Sequence, residues 1–345
     1  MIDWATSVVP VFHDKLINAG QVISINSSGE IEWKSEKKVK VRGSDDSSID
    51  VRSSSMHEAG THLFIDGNPV KFLQGHNLWG TDDLIGLNCA FFEKVCSILG
   101  LTPTEQDRHL WSIGEYALLR VDINYTWHLA SKAEVLAWIR SAAQSARLAY
   151  RGAGILTGDT LYFAKHSKRS SLKCYSKGQE VNAKGHQLPE RMQTPQILDW
   201  ANRALRPEVR LLATDLKRRG LHRASKWSQN TPSEIHQEFL RGLEMTENYT
   251  IPEQDLPNMP ARLQAAYIAW RDGHDLRTIY PKVTFYRYRK QLLQHGIDIA
   301  IKQSRDFSNV VPLIRVLEAK PVCVPDWAIG TDLYFDPPRL VVNSR

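Results

Sequence analysis

The stretch Ser170-Ser171-Leu172-Lys173-Cys174-Tyr175-Ser176-Lys177-Gly178-Gln179-Glu180 sets a tyrosine among lysines, directly after the basic run Lys165-His166-Ser167-Lys168-Arg169. Read with period two, Ser171, Lys173 and Tyr175 share one face of a strand, and Leu172 and Cys174 share the other. The phenol then projects beside Lys173, with Lys177 two residues on. A phenol is a poor nucleophile at neutral pH. It improves when cations stabilise the phenolate and a metal stabilises the electrophile. Tyrosine, lysines and a nearby metal are what DNA strand-nicking through a phosphotyrosine link requires. The same stretch also suits a surface strand with solvated lysines and a half-buried tyrosine, because short motifs match by chance.

The bulk numbers bound the choices. With 345 residues the chain is long enough for two or three domains, and 42% hydrophobic with 24% charged residues is ordinary for a soluble globular protein. A net charge of +6 leans modestly toward a polyanionic partner. Cys89, Cys96, Cys174 and Cys323 lack C-x-x-C spacing and point to a reducing compartment. The N-terminus has no basic and apolar signal pattern, and no apolar run reaches membrane-span length. The expected location is the cytoplasm, with no membrane partner. No G-x-x-x-x-G-K-[ST] occurs, which sets aside a phosphate-loop NTPase.

Elements to carry the tyrosine follow from pattern. Short runs rich in Val and Ile at Ser7–Phe12, Gln21–Asn26, Glu30–Ser35, Lys37–Arg42 and His62–Asp66 read as strands. The segment Asn68–Leu84 joins a strand to a helix capped by Thr81 or Asp82 and stopped by Gly100. Tyr116–Ile123 is a strand in which Arg120 and Asp122 alternate out from Leu119, Val121 and Ile123. Asp122 has two readings here, an ion pair with Arg120 or an oxygen ligand for a hard divalent cation. Ala130–Tyr150 reads as an amphipathic helix, and residues 157–163 and 170–175 as a hairpin leading to Tyr175. On the strand Pro207–Leu212, Glu208 and Arg210 share a face; Glu208 suits a second metal carboxylate or half of a salt bridge equally well. A polar, Pro- and Asn-rich stretch over 225–260 reads as a linker. Residues 261–300 have the outline of a helix-turn-helix, with Pro281 opening and Gly296 closing the last helix. Thr284, Tyr286, Arg287, Arg289 and Lys290 populate its polar face, which is either a DNA contact or a solvated helix surface.

Several blocks resemble one family in order. K-F-L-Q-G-H-N-L-W-G-T-D-D-L from Lys71 to Leu84, the opening Met1-Ile2-Asp3, Arg120-Val121-Asp122, Glu208-Val209-Arg210-Leu211, Leu216-Lys217-Arg218-Arg219-Gly220-Leu221, Ser308–Arg315 and Pro325-Asp326-Trp327 are similar to segments of the filamentous-phage gene II replication proteins, the phage/plasmid II/X family. They touch about two-thirds of the chain. In that family the nicking tyrosine stands in a strand with a lysine two positions later and an acid five positions later, which Tyr175, Lys177 and Glu180 match. The resemblance implies a rolling-circle replication initiator that nicks an origin through a 5′-phosphotyrosine intermediate and rejoins the displaced strand.

The expected fold is α+β: an antiparallel sheet flanked by helices, similar to HUH-type nickases, with a small all-helical C-terminal unit. The expected divisions are a nicking domain over 1–224, a linker over 225–260 and a DNA-binding unit with tail over 261–345. Expected roles are Tyr175, Lys177 and Lys173 in catalysis, and Asp122 and Glu208 on Mg²⁺ or Mn²⁺. The implied partners are double-stranded origin DNA, the displaced single strand, and host helicase and polymerase, with oligomers forming on DNA. The sequence departs from HUH enzymes in having no H-x-H; His57 and His62 are the nearest pair, and His76 and His128 stand alone. The alternative is a non-enzymatic helix-turn-helix regulator, independent of Tyr175 and metal. A tyrosine recombinase fits less well, since its tyrosine belongs to a helical domain.

Overall fold

The computed structural model of the chain describes residues 1–54, 60–244, 259–294, 299–300 and 313–338. The first strand, β1 (Ile2–His13), turns Ile2, Val9 and Val11 into the main core. A hairpin of β2 (Gln21–Ile25) and β3 (Ile31–Glu36) forms its own two-stranded sheet. Then β4 (Val39–Arg42), β5 (Ser48–Ser53) and β6 (Gly60–Gly67) run antiparallel side by side, and β6 pairs with β1.

Three helices follow: α1 (Pro69–Gln74), α2 (Leu84–Leu99) and α3 (Glu105–Ser112). Asn68 caps α1, and Gly75, at φ 88°, ends it in the left-handed region that an L side chain avoids. The cap of α2 is Asp83, whose side chain accepts from the Gly86 N–H, not Thr81 or Asp82. Asp82 is engaged elsewhere, accepting from the Tyr125 hydroxyl at 2.7 Å. Leu84, Leu87, Phe91 and Val95 of α2 enter the core as the helical period requires, and Gly100 stops the helix.

The strand β7 (Ala117–Asn124) then pairs with the free edge of β1. Beyond the two-residue β8 (Trp127–His128), α4 (Lys132–Ser145) is shorter than the expected Ala130–Tyr150. Its last turn gives way to β9 (Arg147–Leu148), because Leu148 is buried in a small sheet with β10 (Gly152–Ala153). The expected hairpin is present as β12 (Thr160–Phe163) and β13 (Ser170–Ser176), with β11 (Ile155–Thr157) outside it. One turn of helix, α5 (Lys177–Glu180), and α6 (Pro195–Asn202) lead into β14 (Ala204–Leu212), which lies between β13 and β7. The short helix α7 (Ala213–Arg218) follows β14 directly. The sheet order is β11-β12-β13-β14-β7-β1-β6-β5-β4, and its pairs are antiparallel. The architecture is therefore α+β, a long antiparallel sheet flanked by helices.

Period-two alternation splits this sheet into two unlike faces. Val121, Ile123, Leu172, Cys174, Val209 and Leu211 join the core beneath α2 and α4. Asp122, Lys173, Glu208 and Arg210 line a cleft on the opposite face.

The expected linker over 225–260 holds a core helix. In α8 (Thr231–Arg241), Ile235 and Phe239 pack into the main core, and β15 (Leu243–Glu244) pairs with β9; residues 245–258 lie outside the described residues. A second core belongs to the helical unit: α9 (Ala261–Arg271), α10 (Leu276–Ile279) and α11 (Lys282–Gln294) bury Leu263, Tyr267, Leu276, Phe285 and Leu292 against one another. The tail returns to the sheet body. Val316 and Leu317 of α12 (Leu313–Glu318) and Phe335 pack against the main core, and Val322, Val324 and Leu333 against the cluster around Trp79 and Trp200. No helix among the described residues is long and apolar enough to cross a membrane.

Candidate active site

Register brings the site together. Antiparallel pairing sets Lys173 opposite Glu208 and Tyr175 opposite Arg206 across β13 and β14. The same strand β14 sets Glu208 opposite Asn124 and Arg210 opposite Asp122 on β7. Directly opposed side chains point to the same face. Lys173, Tyr175, Glu208, Asp122 and Arg210 therefore converge on the polar side of the sheet.

A cleft of about 360 Å³ opens there. Its walls carry the carboxylates Asp3, Asp122, Glu180 and Glu208 and the cations Lys71, Arg120, Lys173 and Arg210. Tyr175 stands behind this wall and is 5% exposed. Its hydroxyl donates to Glu208 Oε2 at 3.1 Å. The Lys173 ammonium lies 2.9 Å from Glu208 Oε1 and 4.7 Å from the centre of the Tyr175 ring. One lysine thus touches both the carboxylate and the phenol.

Burial and charge act on each group. Burial is the main cause that raises the Tyr175 phenol well above its ordinary value; the charges of Glu180 and Glu208 add to it, and Arg206 opposes. Glu208 is pushed up to about 7, first by burial, with Asp3 and Asp122 adding and Lys173 opposing. Lys173 is raised: burial works against its charge, but the Glu208 carboxylate outweighs it. The phenol keeps its proton at rest, beside a carboxylate with unusual appetite for one.

The remaining expected residues fall in different places. Lys177 does not face the cleft. It is buried, donating to Asn77 Oδ1 at 2.7 Å and to Glu180 Oε2 at 2.5 Å. Burial lowers its pKa, against the raising effect of Glu180. Asn77 in turn donates to Asp3 Oδ1 at 2.8 Å, as does Asn68 at 3.0 Å. Lys177 is a brace between the helix after the tyrosine and the loop after α1. Arg206, fully buried, supports the same loop by donating to the Asn77 and Leu78 carbonyls. Asp3, Asn77 and Arg206 do not stand out by residue type. Their only sequence signal is position, inside the Met1-Ile2-Asp3 and Gln74–Asn77 blocks and two residues before Glu208.

Asp122 follows its ion-pair reading. Arg120 donates to both its oxygens, at 2.8 and 2.5 Å, and Arg210 reaches them at 3.2–3.3 Å. Glu208 is likewise matched by Lys173. Mg²⁺ and Mn²⁺ bind through one or two carboxylates together with phosphate and water oxygens. As arranged here, the oxygens of Asp122 are bonded to Arg120 and Arg210 and those of Glu208 to Lys173 and Tyr175, so neither carboxylate stands open to such an ion. Among the described residues no group of three or more His, Cys, Asp or Glu side chains is placed to hold a metal ion.

Of the histidines singled out in the sequence, the described ones, His62, His76 and His128, do not line the cleft. His76 is buried, bonded to the Leu333 carbonyl and edge-on to Trp79, and burial lowers it to about 4. Burial also lowers His128 to about 4. His62 bonds to Thr61 at 3.0 Å, and His57 lies outside the described residues.

In the helical unit, Tyr286, Arg287 and Lys290 are exposed on α11, and Thr284 and Arg289 are half-buried. Of the tail block Ser308–Arg315, residues 308–312 lie outside the described residues.

Comparison with known proteins gives matches of unequal strength. A family model for the N-terminal part of the phage replication-associated protein, the gene II product, matches residues 1–230, and one for its C-terminal part matches residues 252–332. The replication-associated protein of the same type from Enterobacteria phage I2-2 is 40% identical over 330 residues, 94% of this chain and 95% of the relative. A solved rolling circle replication initiator protein from Geobacillus stearothermophilus is 11% identical, with a TM-score of 0.29 over 73% of this chain and 88% of its own, a slight likeness.

The pairing of Asp122 with two arginines predicts a stability effect independent of metal. Asp122→Asn is expected to lose about 3 kcal/mol in denaturant unfolding, because it leaves Arg120 and Arg210 without their carboxylate. The loss should be equal in Mg²⁺ and in a chelator. A loss seen only with Mg²⁺ present would restore Asp122 as a ligand.

Proposed function

Because the chain belongs to the gene II family of phage replication-associated proteins, we propose that it initiates rolling-circle replication by cutting one strand of a circular duplex at its origin, with Tyr175 as nucleophile. The observation that carries this reading is the placement of Tyr175 behind a cleft lined by both cations and carboxylates, its hydroxyl bonded to Glu208 and its ring beneath the Lys173 ammonium. A melted single strand lies along the cleft with its scissile phosphate near Lys173. Lys71 and Arg210, on the same walls, balance phosphate charge. Tyr175 attacks phosphorus and releases a 3′-hydroxyl, which a host polymerase extends as a host helicase unwinds the duplex. The 5′-phosphotyrosine keeps the bond energy, so the displaced strand is rejoined without a nucleotide cofactor.

Lys173 acts on the chemistry by placing positive charge over the ring, which favours the phenolate. Lys177 acts at one remove, holding Asn77 and Glu180 and so the turn that follows the tyrosine. Mg²⁺ or Mn²⁺ belongs to the proposal as the expected requirement of this reaction, and the steps above use the chain's own residues. The helical unit supplies duplex binding through Tyr286, Arg287 and Lys290, with Thr284 and Arg289 beside them on α11.

The test is incubation of the protein with supercoiled DNA of its parent circular replicon and Mg²⁺, beside Tyr175→Phe. Wild type is expected to nick and to form a covalent protein–DNA adduct, both reduced by about a thousandfold or more in the variant. Nicking that survives in the variant would transfer the role to another group. Specific binding with no nicking would leave a DNA-binding regulator.

The duplex-binding role makes a separate prediction. Replacing Arg287 and Lys290 by Ala should weaken binding to duplex DNA and lower the slope of log affinity against log salt by about one for each phosphate contact removed. An unchanged slope would make α11 a solvated surface.

A further inference from the structure

We infer that Glu208 is the proton acceptor for Tyr175, taking the phenolic proton as the strand is cut and returning it as the strand is rejoined. This deepens the strand-nicking reading and rests on it.

The geometry assigns the two oxygens of Glu208 different work. Oε1 is held by Lys173 at 2.9 Å, and Oε2 accepts from the Tyr175 hydroxyl at 3.1 Å. The proton therefore already points along the bond it would cross. Hydrogen-bond reach to the proton is the first requirement of a general base. The other carboxylates of the cleft are committed elsewhere: Asp122 to Arg120 and Arg210, Glu180 to Lys177, and Asp3 Oδ1 to Asn68 and Asn77. Among the described residues, the Tyr175 hydroxyl has no bond to a histidine.

The surroundings supply the driving force. Lys173 and Tyr175 face Glu208 from β13, Asp122 and Asn124 from β7, Arg206 and Arg210 flank it on β14, and Asp3 of β1 and Glu180 of α5 bear on the same cleft. Burial and the neighbouring acids raise Glu208 to about 7. A base titrating near the working pH combines a large deprotonated fraction with useful basicity.

The step balances. The Tyr175 O–H bond breaks and its proton passes to Glu208 Oε2. The phenolate oxygen bonds to phosphorus as the bond from phosphorus to the 3′-oxygen breaks, and that oxygen takes a proton from water in the cleft. In rejoining, a 3′-hydroxyl loses its proton to water and attacks phosphorus. The phenolate leaves and recovers its proton from the Glu208 carboxylic acid.

The test is the single-turnover rate of adduct formation against pH, using the full chain and its parent supercoiled DNA. Wild type should rise through pH about 7 and level off above it. Glu208→Gln should be slower by about a hundredfold and lose that rising limb. Glu208→Asp keeps the carboxylate but draws it back, so it should retain the limb at a rate lower by about tenfold. The assignment is overturned if Glu208→Gln keeps the limb, if added Mn²⁺ restores its rate, or if Glu208→Asp matches wild type. Those outcomes leave the nicking role of Tyr175 standing, whereas a wild type that forms no adduct at any pH overturns both.

Discussion

The structure depends on neutralising charge across β13, β14 and β7. Three neighbouring strands place Lys173, Glu208, Arg210, Asp122 and Arg120 on one face, most of them poorly exposed. Buried charges of one sign would be costly, and a strand carrying them alone would not pack. Antiparallel register solves this by setting Lys173 opposite Glu208 and Arg210 opposite Asp122. The same register leaves the phenol of Tyr175 within bonding distance of the paired carboxylate. Stability and the proposed chemistry therefore use one set of contacts. A slip of a single residue between β13 and β14 would turn Tyr175 to the core and Cys174 to the cleft.

A second layer keeps this face open and in place. The loop after α1 is bound from below by Arg206, from the side by Lys177 through Asn77, and from outside by the tail. The Leu333 carbonyl accepts from Trp79 and bonds to His76, and the Phe335 N–H donates to Gln74. Residues near both ends of the described chain thus meet at the loop that carries Asn77, beside Asp3. The tail is part of the sheet body by these contacts, while the helical unit has its own core.

Much of this was legible in the sequence, for reasons that differ by element. The alternation in Tyr116–Ile123 and in 170–175 fixes which side chains share a face, so Tyr175 and Lys173 could be placed together. Helix α2 was readable from its apolar period and Gly100, although its cap shifted to Asp83 because Asp82 bonds Tyr125. The site's partners were not readable, because strand order is a long-range matter: nothing local places β14 between β13 and β7. Asp122 presented a carboxylate at a strand end, and only the arrival of Arg210 from β14 shows how fully it is paired. Lys177 followed the tyrosine with the spacing of a catalytic lysine, yet the chain turns into α5 at that residue and buries it. The polar composition of 225–260 hid the amphipathic α8, whose Ile235 and Phe239 carry its one apolar stripe.

The central claim is that Tyr175, and no other side chain, joins to DNA. The most direct measurement is to trap the adduct formed on parent supercoiled DNA, digest it with nuclease and trypsin, and find by mass spectrometry the peptide that bears the nucleotide. The account predicts a phosphodiester on the tyrosine of the peptide from Cys174 to Lys177. A nucleotide on a peptide containing another tyrosine, such as Tyr162, would contradict it.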